Sequence, residues 1–223
     1  MYEIEIKSLL GSSENAQHFK KKMMDLVPEA RMKGKNKQRN HYFVGGDYEK
    51  MVDGVSPHLS KAQQGKLYAI IRKGKGHSVR TRELGEKTLL VVKASVDDTT
   101  SSNGISRMEF EEEVGRLTLD QLDKILLDAG LAYQAKWSRE REEFALGDIT
   151  VCLDRNAGYG FVAEFEKIIK DEKGAEKAKG QLRTVMKKLG VEELPQDRLE
   201  RMFAYYNEHW PEYYGTEKIF TVE

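Results

Sequence analysis

Alternating apolar and charged residues recur along the chain and predict strands that have one apolar face and one charged face. The first such stretch is Glu3-Ile4-Glu5-Ile6-Lys7, in which the isoleucines share one face and the charged residues share the other. Comparable patterns occur in segments 77–84, 88–95, 107–114, 137–146, 149–155 and 160–169. With a short strand at 40–44, the pattern predicts eight strands.

Apolar residues spaced three or four positions apart predict amphipathic helices between and after these strands. One helix is expected to start at Ser12-Ser13, and another at the Thr118-x-x-Gln121 capping box. Further helices are predicted at 174–189 and 196–209.

Two segments in the first half of the chain lack a clear pattern. Segment 33–39 is rich in lysine and is predicted to be a flexible connection that leads into the strand at 40–44. Segment 45–76 is predicted to contain one helix that starts at Ser56-Pro57.

Composition narrows the function classes. The 223 residues contain 37 Lys and Arg and 37 Asp and Glu, and this balance argues against a nucleic-acid or membrane-surface binder. The single cysteine, Cys152, excludes an internal disulfide and a cysteine-rich zinc site, and it fits a cytoplasmic location. Because the chain begins directly with a strand, a signal peptide is not expected.

The charged residues of the strands divide into a basic and an acidic group. The basic group is Lys7, Arg80, Arg82, Lys93, Arg107, Arg139 and Arg141, and the acidic group is Glu3, Glu5, Glu109, Glu111, Asp154, Glu164 and Glu166. So many charges could not line a dry interior, because an unpaired buried ion is costly. A wet tunnel that holds a polyanion and a divalent metal removes this objection, since arginines bind phosphates and carboxylates bind Mg²⁺ or Mn²⁺.

This pattern resembles the CYTH superfamily, also called triphosphate tunnel metalloenzymes, which includes class IV adenylyl cyclases, thiamine triphosphatases and inorganic tripolyphosphatases. The resemblance covers about residues 2–170. The matching motifs are Glu3-Ile4-Glu5-Ile6-Lys7, Arg80-Thr81-Arg82, Lys93, Arg107-Met108-Glu109-Phe110-Glu111, Arg139 with Arg141, Asp154, Gly158-Tyr159-Gly160 and Glu164-Phe165-Glu166.

The resemblance implies an α+β fold in which an eight-stranded antiparallel β-barrel forms the triphosphate tunnel and helices pack outside it. Residues 1–170 would form the tunnel domain, with an unusually long segment at 45–76. Residues 171–223 would add helices and an aromatic tail that pack on the same domain; the tail includes Trp210, Tyr213 and Tyr214.

The resemblance also implies roles for the charged residues. The residues expected to bind Mg²⁺ or Mn²⁺ are Glu3, Glu5, Asp154, Glu164 and Glu166. Those expected to bind the triphosphate are Lys7, Arg80, Arg82, Lys93, Arg107, Arg139 and Arg141, with Glu109 and Glu111 beside them in the wall. Catalytic roles fall to Glu5, Lys7, Asp154 and Glu166.

Three functions agree with this pattern. The first is metal-dependent hydrolysis of inorganic tripolyphosphate, thiamine triphosphate or a nucleoside triphosphate, and the complete carboxylate set favours it. The second is a class IV adenylyl cyclase that makes cyclic AMP and pyrophosphate from ATP. The third is a non-catalytic module that binds polyphosphate or a nucleotide. The expected partner is a small-molecule triphosphate, with no nucleic-acid or membrane partner, and a homodimer remains open.

Overall fold

The computed structural model describes residues 2–95, 107–170 and 172–222, except for the side chains of residues 2, 3, 107 and 172. These residues form eight strands and six α-helices. The strands are β1 (Tyr2–Gly11), β2 (Arg31–Val44), β3 (Lys75–Leu84), β4 (Lys87–Ser95), β5 (Arg107–Glu113), β6 (Ala132–Leu146), β7 (Ile149–Asn156) and β8 (Gly160–Ile169). The helices are α1 (Ser13–Leu26), α2 (Tyr48–Val55), α3 (Lys61–Lys73), α4 (Leu119–Asp128), α5 (Ala175–Leu189) and α6 (Gln196–Tyr213).

The strands belong to one sheet with the order β1-β8-β7-β6-β2-β3-β4-β5. The neighbours whose register is defined run antiparallel. The prediction of an α+β fold with eight antiparallel strands is therefore confirmed. A barrel also needs its first and last strands to pair. In the observed order β1 and β5 are instead the two edge strands. The expected closed barrel is therefore not found, and the sheet is open.

The chain divides into two compact units, and β2 and β6 pass through both. The first unit contains Met1–Lys37 and Ser138–Glu223, and the second contains Gln38–Trp137. Among the described helices, none has the length and apolar character that a bilayer span requires.

The core of the first unit lies between its strands and two amphipathic helices. Ser12 caps α1 by accepting a hydrogen bond from the backbone of Asn15, and the helix then buries Phe19 and Met23. Phe19 meets Phe165 of β8 edge to face, with ring centroids 6.0 Å apart. The α5 helix adds the buried Leu182, Met186 and Leu189 to the same core. These contacts cover one face of β1 and β8 and leave the opposite face to their charged residues.

The core of the second unit has the same design. The predicted capping box at the start of α4 is present, since Thr118 and Gln121 each bond to the other's backbone amide. Apolar side chains of α2, α3 and α4 share this core with those of β3, β4 and β5. The helices contribute Met51, Leu67, Ile70, Leu122 and Leu126, and the strands contribute Leu90 and Phe110, among others.

Segment 33–39, predicted to be flexible, is part of the strand β2. Its lysines have carboxylate partners on β6: Lys33 pairs with Glu143, Lys35 with Glu142 and Lys37 with Glu140. The prediction was wrong because the stabilising charges lie about a hundred positions further along the chain, as the 103-residue separation of Lys37 and Glu140 shows.

Segment 45–76 contains two α-helices where one was predicted. Asp47 caps α2, which the sequence pattern missed, and Ser56-Pro57 lies in a short 3-10 turn. The helix that follows is capped by Ser60, which forms a capping box with Gln63. Because serine, aspartate and proline all occur near helix starts, the local sequence offered several starts, and packing of the buried Met51, among others, selected α2.

The aromatic tail packs beside the turn that joins β7 to β8. The backbone N–H of Phe220 donates to the carbonyl oxygen of Gly158 at 2.9 Å, and the Phe220 ring lies 4.9 Å from that of Tyr159. Gly158 has a φ of 75°, and a side chain there would meet Tyr206 and Phe220 at about 2.8 Å, so glycine is required.

Asp123 of α4 is the buried polar centre of the second unit. It accepts hydrogen bonds from His41 on β2, Thr81 on β3 and Tyr133 on β6, at 2.6, 2.6 and 2.7 Å. Burial raises the pKa of Asp123, but these three hydrogen bonds outweigh burial and hold the pKa below its usual value. One carboxylate thus ties a helix to three strands.

We expect Asp123→Ala to lower the free energy of unfolding by about 3 kcal/mol or more, because it leaves buried donors without an acceptor. Chemical denaturation monitored by circular dichroism measures this loss. The matched control is Asp128→Ala on the same helix, which removes only an exposed pair with Lys124 and should cost less than about 0.5 kcal/mol. Equal losses in the two variants would contradict a central role for Asp123.

Candidate functional site

The charged face of the first unit is assembled by strand register. Residues directly opposite each other in antiparallel strands share a face. The register places Glu5 opposite Glu166 and Lys7 opposite Glu164, and β7 continues the face beside them. We call this set the carboxylate cluster: Glu5, Lys7, Arg139, Arg141, Asp154, Glu164 and Glu166.

Three members of the carboxylate cluster can bind one cation together. Glu5, Glu164 and Glu166 each offer a carboxylate oxygen, and these oxygens all lie within 4.8 Å of one another. Three convergent carboxylates are the ligands that hard divalent ions such as Mg²⁺ and Mn²⁺ prefer. The residues present therefore fit the metal that the sequence pattern implies.

Cationic side chains balance these carboxylates. Lys7 pairs with Glu5, and its Nζ lies 2.7 Å from Oε1 of Glu164. Arg141 pairs with Glu164 on one side, and its Nη1 lies 3.5 Å from Oε1 of Glu166. Each side chain thus contacts two of the three carboxylates of the candidate metal site.

Asp154 is engaged differently from the other carboxylates. Its side chain is fully buried and accepts two hydrogen bonds from Arg141, at 2.7 and 2.6 Å, in a forked arrangement. Arg139 approaches the same carboxylate at 3.4 Å. Asp154 is therefore held mainly as the partner of an arginine.

Burial and neighbouring charges act in opposite directions on the pKa values of this network. Burial raises the pKa of Asp154, and the nearby Glu164 carboxylate raises it further against the opposing hydrogen bond from Arg141. Burial also acts to raise the pKa of Glu164, but attraction to Lys7 and Arg141 outweighs burial and lowers it. Glu164 is therefore held as an anion by its two cationic partners.

Cys152 lies on this face as well, 3.8 Å from Oε1 of Glu166. Burial raises its pKa to about 12, so the side chain is a neutral thiol at physiological pH. Because the thiolate is the reactive form of cysteine, Cys152 does not have the properties of an activated nucleophile.

The second unit carries a face of different character. Register places Asn40 opposite Arg82 and Tyr42 opposite Arg80, while Lys93 lies opposite Glu109. We call this set the arginine cluster: Asn40, Tyr42, Arg80, Arg82, Lys93, Glu109 and Glu111.

Two cations of the arginine cluster are paired with carboxylates. Arg82 donates to Oε1 of Glu111 at 2.5 Å, and Lys93 lies 2.9 Å from Oε1 of Glu109. Arg80 instead donates to the hydroxyl of Tyr42 at 2.6 Å, a neutral acceptor.

The structure thus brings the predicted residues together within two sets, one in each unit. Glu3 and Arg107 lie on β1 and β5, but their side chains are outside the described part of the chain. Asn40 and Tyr42 were missed because they carry no charge. Their even spacing within the predicted strand at 40–44 was the one signal that could have placed both on the same face.

Comparison with known proteins agrees with this pattern. A family model described as the CYTH domain matches residues 71–198, which is more than half of the chain. The match includes β3 through β8 and excludes β1 and β2. A search of curated proteins found no match.

Solved structures share the fold at low sequence identity. The PH1819 protein from Pyrococcus horikoshii aligns with a TM-score of 0.58 and 16% identity, covering 92% of this chain and 99% of that chain. A "putative adenylate cyclase" from Vibrio parahaemolyticus aligns with a TM-score of 0.56 and 16% identity, covering 92% and 98%.

A third structure, from Hippeastrum, is described as a "putative adenylyl cyclase" that reveals a dominant triphosphatase activity. It aligns with a TM-score of 0.50 and 17% identity, covering 93% of this chain and 96% of that chain. At such low identities these alignments show only a common fold. The family is shown by the CYTH family model, which matches more than half of the chain. This protein belongs to the CYTH domain family.

Proposed function

We propose that this protein is a metal-dependent triphosphate phosphohydrolase that acts on inorganic tripolyphosphate, thiamine triphosphate or a nucleoside triphosphate. The observation that carries the proposal is the convergence of Glu5, Glu164 and Glu166, whose carboxylate oxygens lie within 4.8 Å of one another. Membership of the CYTH family supports it, as does the triphosphatase activity described for the Hippeastrum protein of the same fold.

In this proposal, Glu5, Glu164 and Glu166 hold Mg²⁺ or Mn²⁺. Glu3, which lies on β1 with Glu5, is a further ligand. The metal would polarise phosphate oxygens and favour attack by water. Lys7 and Arg141 have donors suited to phosphate, and both already lie against the metal-binding carboxylates. They would neutralise charge that develops on the transferred phosphoryl group.

The other basic residues of the sequence pattern also have donors suited to phosphate. Arginine forks match the geometry of phosphate oxygens, and lysine supplies a compact charge. Within the first unit the proposed triphosphate-binding residues are Lys7, Arg139 and Arg141. Within the second unit they are Arg80, Arg82, Lys93 and Arg107, with Glu111 holding Arg82 and Glu109 holding Lys93 in place.

The attacking water needs a carboxylate that can orient it, and Glu5, Asp154 and Glu166 are the candidates. Asp154 is fully buried and forked to Arg141, so its lone pairs are largely occupied. Glu166 is partly exposed, with 19% of its side chain accessible, so water can reach it. We therefore propose Glu166 as the residue that orients the water and Asp154 as the residue that holds Arg141.

We expect the purified protein to release phosphate and a diphosphate from at least one of tripolyphosphate, thiamine triphosphate and ATP, with Mg²⁺ or Mn²⁺ present. Ion-exchange chromatography of the products measures this outcome. Cyclic AMP and pyrophosphate from ATP would establish the adenylyl cyclase instead. Tight binding without any product would favour a polyphosphate- or nucleotide-binding module.

We expect Glu5→Gln to lower turnover by about 100-fold or more, because it changes a direct metal ligand. Changes to residues that only hydrogen-bond to a metal ligand typically cost about 10- to 100-fold. The variant should also bind Mn²⁺ more weakly in electron paramagnetic resonance titrations, because the amide cannot replace a negatively charged ligand.

The matched control is Glu140→Gln, which changes a β6 glutamate paired with the exposed Lys37 outside the carboxylate cluster. Its turnover and Mn²⁺ affinity should equal those of the wild type, and both variants should retain the wild-type melting temperature. Normal Mn²⁺ binding by folded Glu5→Gln would remove Glu5 from the metal site.

A further inference from the structure

The strand β2 contributes two uncharged residues to the arginine cluster. Tyr42 lies opposite Arg80, accepts a hydrogen bond from Nη1 of Arg80 at 2.6 Å, and has its ring 5.4 Å from the guanidinium carbon. Asn40 lies opposite Arg82 and accepts a hydrogen bond from Nε of Arg82 at 2.8 Å. Each arginine is therefore held by a side chain on the neighbouring strand.

The two arginines differ in how much charge remains available. Arg82 is also paired with Glu111, which neutralises it. Within the described part of the chain Arg80 makes no ion pair, and its buried Nε has no hydrogen-bond partner. Because a phenol is a neutral acceptor, Tyr42 orients Arg80 without cancelling its charge. A fixed, unneutralised guanidinium with a spare donor is suited to an anion.

We propose that Tyr42 is a positioning residue that holds Arg80 ready to bind a phosphate group of the triphosphate. The inference rests on the proposed function, because it presumes that the arginine cluster binds that anion. Tyr42 lies outside the segment that matches the CYTH model, so the family match assigns it no role. The physical benefit is pre-organisation. Because Arg80 is already held by the ring and the hydroxyl of Tyr42, it loses less conformational entropy when the phosphate binds.

The chain offers a matched control for this contact. On α3, Tyr68 has its ring 5.5 Å from the guanidinium carbon of Arg72. The Tyr68 hydroxyl, however, donates to the carboxylate of Asp53 at 2.8 Å, and none of these residues belongs to the arginine cluster. Tyr68→Phe therefore removes a comparable hydroxyl beside a comparable arginine without touching the proposed anion site.

The test is isothermal titration calorimetry with sodium tripolyphosphate on the full chain. Tyr42→Phe keeps the ring and removes the hydrogen-bond acceptor, and we expect the Kd to rise about 3- to 10-fold. Tyr68→Phe should bind as the wild type does.

A double-mutant cycle distinguishes positioning from a merely structural role. In the Arg80→Met background, Tyr42→Phe should cause no further loss of affinity, because the group that it positions is gone. If Arg80→Met does not fold, Arg80→Gln replaces it in the cycle.

The failures of the two hypotheses look different. If wild type does not bind tripolyphosphate, the same titration is run with thiamine triphosphate and with ATP, and failure to bind any of the three overturns both the proposed function and this inference. If wild type binds and Tyr42→Phe binds equally well, only the inference is overturned. Additive losses in the cycle would also overturn it, because they would show that Tyr42 acts on affinity independently of Arg80.

Discussion

The charged face of the first unit depends on the pairing of one partly buried arginine with buried carboxylates. Asp154 has no solvent contact, and Arg141 forks onto it while also pairing with Glu164. An unpaired carboxylate at this depth would cost several kcal/mol, so β6 has to bring Arg141 directly opposite Asp154. Such networks add little net stability, and apolar residues of similar volume often replace them without loss.

Stability comes instead from the opposite face of the strands. In the first unit α1 and α5 bury aromatic and aliphatic side chains there, including the Phe19–Phe165 contact. In the second unit α2, α3 and α4 do the same. The hydrophobic effect acts on this face in proportion to the apolar area removed from water. Each unit can therefore carry many charged side chains on its other face and still fold.

The two charged faces differ in a way that matches different ligands. The carboxylate cluster has four carboxylates and three cations, and three of the carboxylates converge as metal ligands do. The arginine cluster includes a guanidinium whose neighbour is a neutral phenol. The solved structures of the same fold share only 16–17% of their residues with this chain. The chemical argument accordingly rests on the chain's own contacts, since one fold can support several reactions.

Local sequence determined most of the strands, several of the helix starts and the face on which each strand charge lies. Side chains in a strand alternate by geometry, so Glu164 and Glu166 had to share a face once β8 was recognised. A capping box needs only four neighbouring residues, so Thr118 and Gln121 marked α4 correctly. The motifs along the strands also indicated a resemblance to the CYTH family. The first of these motifs lies on β1, outside the segment that the family model matches.

Only the tertiary structure decided which charges meet. The lysines at 33, 35 and 37 resemble a solvated loop until β6 supplies their glutamates. Tyr42 and Asn40 carry no charge, and their importance appears only when β3 is placed beside β2. The strand order likewise left two edge strands where a barrel was expected. The physical reason is common to all three. Backbone geometry and capping depend on residues a few positions apart, whereas register and ion pairing depend on partners tens to more than a hundred positions away.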